Sequence, residues 1–367
     1  MKTEITALDL RYLVKEFKIL EGGKIDQIYQ TSKKDFLIRF HVPSKGKVML
    51  RLILPKFVYI TDYKGGIPEK PLGFCLFLRK YLRNARVRKV LQEDFERILV
   101  IEFEKEKKYN LIIELFAKGN MILCDTENKI IGLLEQQRWK DRDVKAGIKY
   151  EVPKRKYDFL KLKEIELKEI AKQEKEIVKA LAVDLGLGGV YAEEICFAAE
   201  IDKKKKKLNP EELKKLYKAI KELRLRKPKP IIYSGKDIMP FELGIHEGKE
   251  KRNFKSFNEA IDKVITISLK ESDETKKKSK YADKIKKTEK IIEMQKKNIE
   301  KLEKEMKENT AKGEKIYENY KLMEQILEEI KKARKKYSWE QIKAKLKGHK
   351  IIKEINIKEK KAVIELK

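Results

Sequence analysis

Cysteine and histidine are too scarce to organise this chain. Cys75, Cys124 and Cys196 lie far apart with no Cys-x-x-Cys pair, and the three histidines, His41, His246 and His349, do not cluster. That argues against a disulfide framework and a zinc knuckle, predicts neither metal nor cofactor, and points to a reduced compartment. Long apolar runs are missing too. The opening MKTEITALDLRYLVKEFK carries a charge every few residues, unlike a signal peptide, and no run approaches the length of a membrane span. The expectation is a cytoplasmic protein with no membrane partner. Gly-x4-Gly-Lys-Ser/Thr, His-Glu-x-x-His and Gly-x-Ser-x-Gly are all absent, so NTPase, zinc-protease and α/β-hydrolase chemistry have no motif to rest on. Carboxylates are plentiful, and their number alone identifies no general acid or base.

What the chain has is positive charge: 90 Lys and Arg against 60 Asp and Glu, a formal net charge of +30 over 367 residues. Enrichment in Lys, Glu and Ile also marks proteins from hot environments, where ion-pair networks help. Balanced enrichment, however, would leave the net charge near zero. An excess of this size seeks polyanions, and nucleic acid leads because each phosphate contact releases counterions whatever the base sequence.

The patterning predicts an α+β fold, mostly antiparallel sheet at the N-terminal end. A helix with Leu8, Leu10, Leu13, Val14 and Phe17 as its apolar set precedes the strand runs KIDQIYQT, DFLIRFHV, KVMLRLIL and KFVYITD. A second helix over PLGFCLFLRKYLRN leads into RVRKVLQ, ERILVIEFE, YNLIIELFA and NMILCDTENKIIGLLE, a further meander. Residues 1–155 form this sheet domain, 156–228 a helical domain, and 229–268 a return segment that packs back on the sheet, making the first domain discontinuous. Ser256, with Glu259 three residues later, starts the next helix.

Within the helical domain, LAVDLGLGGVYAEEI has the pattern of a helix-hairpin-helix, with Gly186, Gly188 and Gly189 placed to offer backbone N–H groups to a phosphate. Asp184 stands where an apolar residue is usual. A glycine cap joining two helices explains the same residues equally well. The lysine run DKKKKK at 202–207 is as readily a solvated loop. From 269 to 337 the sequence is written in heptads: Ile285, Ile292, Ile299, Met306, Gly313, Tyr320 and Leu327 in one column, and Thr288, Gln295, Leu302, Asn309, Ile316, Met323 and Ile330 in the other. That predicts a coiled-coil arm and makes self-association a candidate. Residues 338–367 read as a small helix and a hairpin, and the arm's missing return partner predicts a further C-terminal portion.

One stretch asks more than periodicity answers. LIIELFAKGNMILCD breaks at Gly119-Asn120 as a hairpin turn would, yet sets a carboxylate, Glu114, among strand residues. Alternation places Glu96 and Arg97 at the mouth of a strand, where arginine can donate to base edges and glutamate can accept from exocyclic amines. An exposed ion pair, worth about 0–1 kcal/mol, is the bland alternative. For Asp9 the bland reading is a solvent-facing helix residue, and for Glu114 a strand-end partner of a neighbouring lysine.

In their order, ALDL, RKVLQEDFERILVIEF, IIELFAKGNMILCD, YSGKDIMPFEL, FKSFNEAID and YENYKLMEQILEEIKKAR resemble the NEMF/RqcH ribosome-associated quality-control factors, whose first portion is called the NFACT-N domain. The resemblance spans essentially the whole chain, and ELF followed by GN is one of the family's signatures. It implies a factor, not an enzyme, that binds the large ribosomal subunit, its rRNA and proteins, with stalled peptidyl-tRNA. It further implies recruitment of aminoacyl-tRNA, alanyl-tRNA in the prokaryotic branch, for mRNA-independent C-terminal tailing. By position it implies tRNA-binding roles for Asp9, Glu96 and Arg97, with Glu96 standing where the family's Asp-Arg pair has aspartate; Glu114, Lys118, Asn120, Arg138 and Lys140 are the further tRNA-binding candidates. It also implies an NFACT-R domain beyond the arm. The fold is similar to the formamidopyrimidine DNA glycosylases, which makes a nucleic-acid enzyme the alternative, although Met1-Lys2-Thr3 lacks their N-terminal proline. Relatives labelled as fibronectin-binding surface proteins supply the other.

Overall fold

In the computed structural model of the protein, which describes residues 2–43, 45–139, 142–357, 359 and 361–365, the first ordered element is α1 (Ala7–Phe17). Its start is a capping box: the Thr6 hydroxyl accepts from the Asp9 N–H while the Asp9 carboxylate accepts from the Thr6 N–H. The five apolar residues expected on one face of α1 are all buried. Strands β1 (Lys24–Ser32), β2 (Asp35–Val42), β3 (Gly46–Ile53) and β4 (Phe57–Ile60) form one antiparallel meander. Helix α2 (Gly73–Leu82) then crosses to β5 (Arg86–Gln92), β6 (Ile98–Glu104), β7 (Lys108–Glu114), β8 (Asn120–Cys124) and β9 (Ile130–Leu133), a second meander. The two join as one nine-stranded sheet in the order β4-β3-β2-β1-β5-β6-β7-β8-β9.

The near-continuous apolar runs of β6 to β8 follow from burial on both faces. Leu99, Ile101, Phe103, Leu111, Ile113, Met121 and Leu123 point into the main core. The residues alternating with them, Ile98, Val100, Ile112, Ile122 and Cys124, enter a second cluster closed by Val144 and Tyr150. That second face is covered by the chain around the short strands β10 (Gln137–Arg138) and β11 (Asp143–Val144).

Helices α3 (Glu164–Ala171), α4 (Ile177–Asp184), α5 (Gly189–Ala198) and α6 (Pro210–Leu225) make the helical part. Strands β12 (Ile231–Tyr233), β13 (Asp237–Met239) and β14 (Lys251–Asn253) follow, and Ile231, Tyr233 and Ile238 lie in the same core cluster as Leu8 and Ile25. Helix α7 (Phe257–Glu318) begins with the Ser256 hydroxyl accepting from the Glu259 N–H. The Phe257 and Asn258 N–H groups donate to the Glu16 carboxylate of α1, both at 2.8 Å, a helix cap supplied from 241 and 242 residues away. These elements, through Thr275, form one compact unit.

The second unit, from Lys276, contains the rest of α7, then α8 (Tyr320–Arg334), α9 (Trp339–Lys345), β15 (Ile352–Asn356) and β16 (Lys361–Ile364). Ile326, Ile342, Ile352 and Ile355 form its small core. The expected uninterrupted arm through residue 337 is broken at Asn319, which leaves helical geometry between α7 and α8. After the break Leu322, Ile326, Ile330 and Ala333 meet the core; only Ile330 of these belongs to a heptad column, and Leu327 from the other column stays exposed. Before it, Ile285, Ile292, Ile299, Leu302 and Met306 are all exposed. Among the described residues no helix is long and apolar enough to cross a membrane.

Candidate nucleic-acid interface

The turn between β7 and β8 is built differently from a Gly-Asn hairpin. Ala117 and Gly119 take the positive φ values, 50° and 68°, whereas Asn120 is already the first residue of β8, paired across the ladder with Glu114. Glycine is required at 119 for a second reason: a Cβ there would sit 3.0 Å from Leu54 and Pro55, on the β3–β4 connection. The same corner receives the β1–β2 turn. Lys34 donates through Nζ to the Lys118 carbonyl, and Lys33 and Lys34 pair with Glu135 at 2.8 and 2.9 Å. Hydrogen bonds from those two lysines hold the Glu135 carboxyl below the usual carboxylate range.

Glu114 is buried, and its partner is not a neighbouring lysine. Arg142 Nη2 and the Tyr150 hydroxyl donate to Glu114 Oε1 at 2.8 and 2.9 Å. Burial, reinforced by the Glu114 charge, pushes the Tyr150 phenol well above its ordinary value, so it remains a donor. Asn120, also buried, clasps one backbone position in both directions: Nδ2 donates to the Glu135 carbonyl at 2.8 Å and Oδ1 accepts the Glu135 N–H at 3.2 Å. This pair ties β10 and β11 and the residues after them to the end of β7 and β8.

Arg97 enters the same neighbourhood from the start of β6. Its carbonyl accepts the Leu115 N–H at 2.7 Å, and its guanidinium meets Glu4 at 2.8 Å and the Ile5 carbonyl at 3.4 Å. Glu96 and Arg97 do not pair with each other. Glu96 is buried against Arg155, whose Nη2 donates to Oε2 at 2.9 Å. Arg155 in turn lies on Gly186, so closely that a Cβ there would fall 1.6 Å from Nη1.

Gly186 follows the C-terminus of α4 with φ +64° and its N–H returns to the Val183 carbonyl, a left-handed helix cap. Gly188 caps α5 at φ +77° with Thr6 Cγ2 3.1 Å from where a Cβ would stand; Gly189 is open. Asp9 is fully buried beside them, so it is not a solvent-facing residue. Its carboxylate accepts from Lys2 Nζ and the Tyr191 hydroxyl, each at 2.6 Å, as well as from Thr6. Burial lowers the Lys2 pKa against the opposing pull of Asp9, and burial with the Asp9 charge raises that of Tyr191. Asp9 therefore clamps the N-terminal segment to α5.

Of the residues singled out by sequence, Asp9, Glu96, Glu114 and Asn120 have internal partners, while Arg97, Lys118 and Arg138 reach solvent. Arg138 is 91% exposed, 3.7 Å from Asp143. Lys140 lies outside the described residues. Two clefts share the wall Val152-Pro153-Lys154: one of about 460 Å3 reaches Asp94, Phe95 and Glu96, the other of about 430 Å3 reaches Phe116, Ala117, Trp139 and Arg142. Sequence reasoning missed Trp139, which is 37% exposed in the second cleft beside Arg142, and Arg142 and Arg155 themselves. The only available signal for Trp139 was a lone aromatic in the basic stretch QRWKDR. Burial pushes the thiols of Cys124 and Cys196 up to about 12 and about 11, which leaves neither as a thiolate near neutrality. Among the described residues no cluster of metal-ligating side chains occurs.

A family profile described as NFACT N-terminal and middle domains matches residues 6–365. The archaeal Rqc2 homolog aRqcH of Methanocaldococcus jannaschii is 34% identical over an alignment of 398 residues, covering 100% of this chain and 59% of that protein. Ribosome quality control complex subunit 2 of Saccharomyces cerevisiae is 38% identical over 156 residues, 41% of this chain and 14% of that protein. The N-terminal part of the fibronectin/fibrinogen-binding protein from Streptococcus suis superposes with a TM-score of 0.59 at 23% identity, over 72% of this chain and 99% of that one, a likeness of fold. The profile match across nearly every residue, with the 34% identity to the archaeal protein over the whole of this chain, places it in the NFACT family, that of the Rqc2, NEMF and RqcH proteins.

Proposed function

We propose that this protein acts in ribosome-associated quality control: it binds the large ribosomal subunit that carries stalled peptidyl-tRNA and recruits aminoacyl-tRNA, alanyl-tRNA in particular, for tailing without mRNA. The observation that carries this reading is the 34% identity to the archaeal Rqc2 homolog over the whole of this chain, together with yeast and human relatives named as ribosome quality control complex subunits. Peptide-bond chemistry is left to the ribosome, in the cytoplasm, and the protein contributes selection and placement.

The corner formed by the β7–β8 turn, Arg97 and Trp139 suits that work. Arg97 presents a planar donor for base edges, Lys118 and Arg138 meet phosphates, and Trp139 offers a stacking surface for an unpaired base. Asp9, Glu96, Glu114 and Asn120 serve as positioning residues that hold these contacts in place through Tyr191, Arg155, Arg142 and Glu135.

Co-sedimentation with purified large subunits carrying peptidyl-tRNA tests the reading. Binding at modest salt supports it, and its absence at every salt concentration rejects it. With three or four phosphate contacts, tRNA affinity falls about a hundredfold between about 50 and 200 mM salt. Arg97→Ala lowers discrimination among tRNAs, whereas charge reversal across Lys203 to Lys207 weakens all of them alike. Equal loss across every tRNA from Arg97→Ala would remove the decoding role and leave only a phosphate contact.

A further inference from the structure

The small sheet β13-β12-β14 ends on one side at β14, which has no further strand beside it among the described residues. Arg252 faces Ile232 across the ladder; the flanking bonds run from the Ser234 N–H to the Glu250 carbonyl and from the Phe254 N–H to the Pro230 carbonyl. Antiparallel alternation therefore turns the N–H and C=O groups of Lys251 and Asn253 away from β12, toward solvent. All three residues of β14 are exposed.

A groove of about 560 Å3 runs between this edge and α7. Lys251 and Arg252, whose side chains leave the strand on opposite faces, both line it, so its wall is the open edge itself. Ile232, Phe254, Val264 and Ile267 supply an apolar floor, with Ile267 46% exposed. Lys236, Arg252 and Lys263 stand on the rim with no salt bridge among the described residues; Glu250 and Glu271 are the acids present. The open edge is only three residues long and carries Lys251 and Arg252, so it is guarded against pairing with a neutral or basic strand while remaining complementary to an acidic one.

We infer that this groove is a docking site for an extended acidic peptide of a partner protein, which adds to β14 as a fourth strand. Alternate apolar side chains of the peptide enter the floor, and its carboxylates meet Lys236, Arg252 and Lys263. Main-chain hydrogen bonds to Lys251 and Asn253 fix the register. The chemistry favours peptide over RNA. The floor is aliphatic, and its one aromatic ring, Phe254, is already covered by the Arg252 guanidinium at 5.5 Å, which leaves no free face for a base to stack on. The inference stands apart from the tRNA reading, because none of the groove's residues belongs to the β7–β8 corner.

The test is fluorescence anisotropy of the full chain with a fluorescein-labelled nonapeptide alternating glutamate and valine. Saturable binding is expected, weakened about tenfold or more by Lys251→Pro, which removes an outward N–H and the side chain's ion pair with Glu242 but no ladder bond, whereas Lys251→Ala, which removes the ion pair alone, leaves most of the binding; Arg252→Glu with Lys263→Glu weakens it similarly to the proline. Near-UV circular dichroism identical to the parent shows that each variant is folded. A backbone N-methylated peptide of the same sequence should not bind. The inference is overturned by no saturation up to about 1 mM, by equal binding of the N-methylated peptide, by indifference to Lys251→Pro, or by oligouridylate binding that Lys251→Pro impairs, which would assign the groove to RNA.

Discussion

The two units treat the same lysine-rich, glutamate-rich composition in opposite ways. Through Thr275, charges are drawn inside: Asp9, Glu96, Glu114, Glu194 and Arg51 are buried and each has an opposite charge within salt-bridge distance. From Lys276 onward the charges of the described residues remain on the surface, and among those residues four isoleucines are buried with their half-buried neighbours. That second stretch also holds 30 of the 90 basic residues but only 16 of the 60 acidic ones, so its positive charge per residue is far higher. The contrast teaches that net charge and charge placement are separate properties. A solvated excess sets the long-range potential around a molecule, whereas buried pairs fix the positions of particular side chains.

Each unit contains one tryptophan, Trp139 in the first and Trp339 in the second, so Trp→Phe variants give each unit its own fluorescence signal. The largest expected effect is from Arg142→Ala, which leaves Glu114 buried without its cation and destabilises the first unit by about 3–5 kcal/mol in urea, read by Trp139. A loss near zero would mean that the Glu114 pair does not hold the β7–β8 corner together. Next is Ile342→Ala, expected to lower the second unit's stability by about 2–4 kcal/mol, read by Trp339, without moving the Trp139 transition. A concerted shift of both signals would erase the distinction between the units.

Alkaline titration sharpens the contrast further. Burial raises the phenols of Tyr59, Tyr150 and Tyr191 above their ordinary value of 10.0. The unfolded chain ionises them near that value while the folded unit keeps them neutral. Stability of the first unit is therefore complete below about pH 10 and falls as the pH rises past it. Among its described residues the second unit buries no tyrosine, so Trp339 serves as the reference signal. The smallest effect belongs to Ile299→Asn on the exposed heptad column, expected to change stability by less than about 0.5 kcal/mol. A greater loss, accompanied by a lower mass in sedimentation velocity, would show that a second helix covers the column.

Strand and helix positions were largely legible in sequence because they rest on local periodicity. DFLIRFHV and RVRKVLQ are β2 and β5 to the residue. Legibility stopped where the pattern had two solutions. Gly119-Asn120 read as a turn, yet the turn sits earlier: Ala117 and Gly119 carry its positive φ angles, Asn120 already belongs to β8, and the packing of Gly119 on Leu54 and Pro55 is remote in sequence. The heptad columns read straight through Asn319, because nothing in a seven-residue repeat announces that α8 will turn Leu322 and Ile326, which belong to neither column, to a core shared with a hairpin downstream.

Sequence by itself determined the strongly basic character, the strands and helices, and the set of residues worth watching, since each depends on composition or on neighbours a few positions away. Which of those residues face inward and which face solvent was decided only by the tertiary structure. Arg142 reaches Glu114 across 28 residues, Arg155 reaches Glu96 across 59, and Tyr191 reaches Asp9 across 182. A carboxylate's surroundings are created by chain closure over such distances, and no local pattern encodes which distant side chain will fill them.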